Sequence, residues 1–301
     1  MSARLDSGKK ALILSLLAEG TAINAVCRVL KVGKNQVLDL ILDAGAAAKQ
    51  YHEMHVRNLT SKMVEADEVW SYIGQHERLL PTGYDKAVEG WQGDHWLFSA
   101  TDADSKFVVA WAEGMERDED TVTRLFDGVL RAVPGEFQLN TDGYNTFRRL
   151  MRSLPDRVHC AAEIKLFGPA TEPSCTRKVT RLLGCTRQNI KGSPDMDRAT
   201  TTHQERLHLT FRQQMRRFGR RTIGYSKKHE FHSASIALFI FIYNWCRKSE
   251  SVVIKGKTPA MAMGLASKPF SLEFLVKLTD EYVKDRENQA FERAFKLKYG
   301  I

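Results

Sequence analysis

Three acids, Asp67, Asp142 and Glu205, stand in segments of different character. Asp67 lies in Met63 to Ile73, a run rich in Val, Trp, Tyr and Ile that reads as a strand. Asp142 follows the short apolar stretch Phe137 to Thr141 and precedes Gly143, as at the end of a second strand. Glu205 opens a segment in which Leu207, Phe211, Met215 and Phe218 are spaced 4, 4 and 3, the stripe of a helix packed on a core. Sites in α/β sheets form at the carboxyl ends of strands, so two acids on central strands and one on a covering helix can converge. Gathered carboxylates repel one another and hold protons more tightly unless cations neutralise them. Oxygen ligands of this kind suit Mg²⁺ or Mn²⁺. Two such ions, roughly 3.5–4 Å apart, activate an attacking water or 3′-hydroxyl and stabilise the leaving oxygen, with the acids serving as ligands only. Each acid also has a plainer role: Asp67 at a strand edge, Asp142 in an Asp-Gly turn, Glu205 at a helix N-terminus favoured by the dipole. Glu68 is the alternative to Asp67, although neighbours on a strand point to opposite faces.

Glu205 heads a dense basic segment. Between Glu205 and Phe231 stand Arg206, Arg212, Arg216, Arg217, Arg220, Arg221, Lys227 and Lys228 against only Glu205 and Glu230, in a chain of net charge +9. Dense Arg/Lys surfaces hold phosphate most strongly, which makes double-stranded DNA the expected partner. At about 100° per residue Arg212 and Arg216 share a helix face with Glu205 and would grip phosphates beside a scissile bond; a solvated basic face is the alternative. His203 and His208 flank the acid, as proton shuttles or as structural histidines. Trp70 and Tyr72 belong to the core or to base stacking, with the core as default.

The elements that must position these groups follow from the patterning. Residues 9–20 read as a helix closed by Gly20, Thr21 caps a second helix to Leu30, and after the turn Lys31-Val32-Gly33 a third runs from Lys34 to about Asp43. Apolar Val26, Val29, Leu30, Val32, Val37, Leu40 and Ile41 fall where a helix-turn-helix buries its inner faces. Lys34, Asn35 and Gln36 then begin the recognition helix, where amide side chains read adenine edges. A plain three-helix unit is the alternative, and Lys31 occupies the turn position where glycine is favoured. Beyond an alanine-rich bridge come strands Met63 to Ile73, Trp96 to Ala100 and Phe107 to Trp111, the last two joined at Asp102-Ala103-Asp104-Ser105. Then follow helix Thr121 to Ala132, strand Phe137 to Thr141, helix Thr146 to Leu154 and strand Val158 to Ile164. This is the element order of a ribonuclease-H-like α/β domain. The organisation expected is a helix-turn-helix domain at 1–48, a linker at 49–62, a catalytic domain at 63–248 with a polar surface excursion at about 167–200, and a helical tail at 249–301.

Composition bounds the rest. An apolar fraction of 43% in 301 residues supports a real core. The most apolar run, Ala234 to Cys246, is too short for a membrane span and reads as a buried helix. Five cysteines without paired metal-ligand spacing, and no signal peptide before Met1 to Lys10, point to a reducing cytoplasm. His159, Cys160, Cys175 and Cys185 are a weaker candidate for zinc, with free thiols the plainer reading.

The blocks Asp67-Glu68-Val69-Trp70-Ser71, Asn140-Thr141-Asp142-Gly143-Tyr144 and Glu205 to Thr210, leading through Arg212 to Met215-Arg216-Arg217-Phe218, resemble the three acidic blocks of bacterial DDE transposases of the insertion-sequence-one family. Tyr225-Ser226-Lys227-Lys228, Tyr243 to Arg247 and Thr258 to Ala262 resemble further blocks downstream. The resemblance implies metal-dependent cutting at the ends of a mobile element and transfer of the freed 3′-hydroxyl into target DNA. It makes Asp67, Asp142 and Glu205 the metal ligands and gives the N-terminal helices the terminal inverted repeats to recognise. Holding two ends together implies a homodimer or larger synaptic assembly acting on cytoplasmic, nucleoid-associated DNA. A non-catalytic helix-turn-helix regulator and a structure-selective nuclease on the same fold are the competing readings.

Overall fold

The computed structural model describes residues 5–169, 180–219 and 221–299. The chain runs α1 (Ser7–Ala18), α2 (Ile23–Leu30), α3 (Lys34–His55), β1 (Met63–Ile73), α4 (Lys86–Glu89), β2 (Gly93–Asp102), β3 (Val108–Gly114) and α5 (Glu119–Ala132). It continues β4 (Phe137–Asp142), α6 (Asn145–Met151), β5 (Val158–Pro169), β6 (Thr180–Lys191), α7 (Thr202–Gln214), α8 (His229–Phe241), α9 (Pro259–Ala262) and α10 (Leu272–Tyr299). Among the described residues the strands form one mixed six-stranded sheet in the order β3-β2-β1-β4-β5-β6. Two compact units result, Arg57–Trp70 with His95–Thr210, and Met1–Val56 with Ser71–Asp94 and Phe211–Ile301.

In the first unit β1, β4 and β5 run parallel, with Ala66 opposite Thr141 and Asp142 opposite Glu163. Parallel strands need crossovers, and α6 supplies the one between β4 and β5. The β2–β3 hairpin turns where the sequence places it: Asp102 Oδ1 accepts from the backbone N–H and hydroxyl of Ser105, each at 2.6 Å. Asp118 caps α5 by accepting from Thr121 N–H at 2.8 Å, and Val122, Leu125, Phe126 and Val129 are buried as their spacing predicts, while Leu130, expected on the same face, is only half-buried.

The excursion expected at 167–200 instead contains β6, antiparallel to β5. Its sequence, Thr180 to Lys191, lacks alternation because the hairpin leaves Leu166, Leu182 and Leu183 exposed, so no buried face imposes a period of two.

In the second unit Lys31 adopts the left-handed conformation (φ 51°, ψ 50°) between α2 and α3, the geometry for which the sequence lacks a glycine. Ala22, not Thr21, is the N-cap of α2. The third helix does not stop near Asp43 but continues to His55, its alanine-rich half packed on α8. A side chain at Gly45 would place its Cβ 2.4 Å from the carbonyl oxygen of Ala234, so the two helices meet backbone to backbone. The Ala234 to Cys246 run is buried as expected, in α8 and a following π-helical turn at Ile242–Cys246. No helix among the described residues is long and apolar enough to cross a membrane. α10 packs on α1 and α3, with ion pairs Lys10–Asp280 and Arg286–Asp43.

Candidate metal centre

Glu65 fixes where α7 begins. It is fully buried in β1, and its Oε2 accepts from the backbone N–H groups of His203 and Gln204 at 2.8 and 3.2 Å. These are amides that a helix leaves without partners at its start. Burial raises the Glu65 carboxyl to about 7 against the pull of those two N–H groups. Gln204 Nε2 then donates to the carbonyl oxygen of Ser99 at 2.6 Å, locking the first turn of α7 to β2.

Two residues along β1 from Glu65, Asp67 meets Asp142 from the end of β4. With Glu68 they form a cluster whose ligand oxygens all lie within 4.8 Å of one another. Strand alternation was expected to turn Glu68 away, yet its carboxylate joins the group. The parallel β1–β4 pairing ends at Ala66 although β1 itself runs on to Ile73, so both acids stand just past the last residue that β4 pairs. Asp67 Oδ1 accepts from Glu68 N–H at 2.9 Å, and Asp142 Oδ1 from Tyr144 N–H at 3.0 Å.

The electrostatics favour a cation. Burial, then the charges of Asp67 and Asp142, pushes Glu68 up to about 8; burial, then Asp67, raises Asp142. Arg117 pairs with Glu68, stacks 4.0 Å over the Tyr144 ring and lies 5.2 Å from that of Trp96. One oxygen of Glu68, Oε2, is buried with no hydrogen-bond partner. A buried carboxylate oxygen so placed costs free energy unless something positive meets it. Three carboxylates with one orphaned oxygen fit a hard divalent ion.

Glu205 lies outside this cluster. It is exposed on the first turn of α7 and pairs with Lys165 of β5. Lys165 also lies near enough to Asp142 to favour its ionised form. The α7 residue that does approach the acids is buried His208, whose Nδ1 is 3.5 Å from Asp67 Oδ2 and whose Nε2 is 3.3 Å from Ser99 Oγ. His203 contacts Glu65 through its backbone and reaches Glu65 Oε1 only at 3.9 Å. Arg117 and Lys165 carried no sequence signal: one lies in a loop before α5, the other is a lone lysine in β5.

The basic residues are distributed less simply than the helix face predicted. Arg206 is exposed on α7, but that helix ends at Gln214; Met215 is extended (φ −118°, ψ 98°), and a 3₁₀ turn takes over at Arg216–Phe218. Arg216 therefore does not continue the face of Glu205 and Arg212, whereas Leu207, Phe211, Met215 and Phe218 are all buried as the stripe required. Arg217 donates to Ser226 Oγ and the carbonyl oxygen of Phe231 at 2.9 and 3.0 Å. Arg221, Lys227 and Lys228 are exposed, and Arg220 lies outside the described residues. Lys34 and Asn35 are exposed at the start of α3, while Gln36 Oε1 accepts from Gly33 N–H at 2.9 Å and so caps the helix. In the zinc alternative, Cys175 lies outside the described residues, His159 pairs with Glu136, and burial pushes the Cys160 thiol to about 12. Cys185 is exposed opposite Lys165, away from Cys160, whose partner is Lys191.

No protein-family model matches the chain, and no curated protein matches it. Among solved structures it is similar to a piggyBac transposase synaptic complex with hairpin DNA, at 10% identity and TM-score 0.41, over 93% of this chain and 72% of that one. A Mos1 transposase paired-end complex with the left transposon end gives 12% identity and TM-score 0.21, over 52% of this chain and 59% of that one. A Mos1 mariner paired-end complex with Mn gives the same values. These likenesses are too distant to carry residue roles across.

Proposed function

We propose that the chain is a DNA transposase of the insertion-sequence type, a metal-dependent phosphoryl transferase built on a ribonuclease-H-like domain. The observation that carries the reading is the meeting of Asp67 and Glu68, from the middle of β1, with Asp142, from the end of the adjacent parallel strand β4, around a carboxylate oxygen with no partner. In this reading Asp67 and Asp142 hold Mg²⁺ or Mn²⁺, Glu205 is the third ligand once it leaves Lys165, and Glu68 completes the set. Two bound ions would supply an attacking water or 3′-hydroxyl of lowered pKa and would neutralise charge at the leaving oxygen. His208 orients Asp67 from behind. Arg117 and Lys165 bring positive charge to the side of the cluster where a phosphate must sit.

The N-terminal helices and the basic segment after Glu205 hold double-stranded DNA, with two copies of the chain needed to hold both element ends. The chain then works on nucleoid-associated DNA in the cytoplasm.

The test is a Mg²⁺-dependent cleavage and strand-transfer assay on DNA carrying the element's own ends. Asp67→Asn and Asp142→Asn are expected to lower joined product by at least about 100-fold, since even outer partners of metal ligands cost 10–100-fold. Glu205→Gln and Glu68→Gln, run side by side, decide which is the third ligand. Cuts without joined strands would leave a nuclease; DNA binding with no Mg²⁺-dependent product in the unaltered chain would leave a regulator.

A further inference from the structure

A cavity of about 530 Å³ opens within the unit of N- and C-terminal helices, walled by α1 to α3, the segment from Gln214 to Lys228, and α8. It brings together basic residues that are far apart in the chain: Lys34 from the start of α3, with Arg216, Arg217, Lys227 and Lys228. Among the described residues no Asp or Glu lines it. No described carboxylate lies within ion-pair distance of Lys34, Arg216 or Lys227, and Lys228 reaches only Glu230, at 3.7 Å. Arg217 is held by Ser226 Oγ and the Phe231 carbonyl, both neutral acceptors, and burial pushes its guanidinium down to about 10. Arg247, also on the wall, pairs with Glu19, but the cations left without a carboxylate, Lys34, Arg216 and Lys227, ask for an anion.

The interior is of the opposite character. Leu38, Phe231, Leu238 and Phe239 line it, and Tyr225 and Tyr243 add two half-buried rings. A purely phosphate-binding groove has no use for such a floor. The volume falls in the range of sites that enclose one small organic group. A planar apolar body joined to a phosphate satisfies both halves, because every nucleobase offers a π-face to aromatic side chains.

We propose that this cavity receives a single unstacked nucleotide of the bound DNA, its base among Leu38, Phe231 and Tyr243 and its phosphates on Lys34, Arg216 and Lys227. The inference rests on the reading of the chain as a DNA-acting protein. It makes the α3 lysine and the basic segment one site for an extrahelical base instead of two separate backbone contacts.

The full chain is tested by fluorescence anisotropy without added metal, on three labelled duplexes of about 20 base pairs. One is fully paired, one carries a single unpaired nucleotide, and one carries an unpaired abasic residue, which keeps the phosphate and the bend but lacks the base. The base-bearing bulge is expected to bind about tenfold more tightly than the abasic one, as a stacked base is lost. Leu38→Trp, which fills the cavity, should bring that ratio to about one. Phe231→Leu, which removes a ring and keeps an apolar side chain, should lower it and serves alone if the tryptophan variant does not fold. Equal affinity for the two bulges in the unaltered chain, or a ratio that survives the variants, overturns the cavity proposal while DNA binding stands. Failure to bind any of the three duplexes overturns the DNA reading itself.

Discussion

Glu68 shows how far one side chain can depart from what its position in a strand suggests. Its carboxyl is raised above its ordinary value in the folded chain, chiefly by burial, so its contribution to stability is full below the ordinary value of 4.5 and is lost as pH rises through about 8. Asp142, raised for the same reason, acts in the same direction. The metal-free chain is therefore expected to show a thermal midpoint that falls from pH 5 to pH 8.5. Mg²⁺ should reverse the trend, because binding requires the proton to leave. Calorimetric titration should give tighter Mg²⁺ binding at pH 8.5 than at pH 6, with proton release that Glu68→Gln diminishes. A midpoint and an affinity that ignore pH in this window would remove Glu68 from the site.

At the scale of elements, two backbone positions decide how the N-terminal helices pack. Lys31 holds a left-handed conformation that a side chain disfavours by roughly 1–2 kcal/mol, so Lys31→Gly is expected to raise stability by up to about 1 kcal/mol after the entropy of the unfolded glycine is counted. Gly45 is the opposite case. Alanine there would push into Ala234 of α8, and Gly45→Ala should cost about 1–3 kcal/mol despite its better helix propensity. Urea unfolding of the two variants checks both signs at once. A stabilising Gly45→Ala would mean that α3 and α8 are not in backbone contact. The same reasoning explains α7, whose first turn is held by Glu65 from a strand distant in sequence.

At the scale of the whole chain, residues 1–48 lie in one compact unit with the helices after Phe211. Ile13, Leu14 and Ile41 are buried in that unit, where α10 covers α1 and α3 and α8 packs along α3. A fragment ending at residue 48 would expose these faces and cut α3 before His55. It is expected to be largely unfolded by circular dichroism, and to gain helicity only when the C-terminal helices are supplied. A fragment that melts cooperatively alone would establish an autonomous N-terminal domain.

What the sequence determined by itself was what local periodicity and turn chemistry control. The β2–β3 hairpin at Asp102 to Ser105, the inward face of α5, the buried stripe after Leu207 and the order of the first five strands were legible, because each is imposed by neighbours in the chain and one buried face. Asp67 and Asp142 were legible as a pair because one lies within and the other closes strands that the topology sets side by side. β6 was not, since a hairpin with exposed leucines carries no alternation. Nor was the end of α7 at Gln214, the membership of Glu68 in the cluster, or the pairing of Glu205 with Lys165. Those depend on where the pairing of two strands stops and which charge lies across a gap, and only the tertiary structure brings such groups within reach of one another.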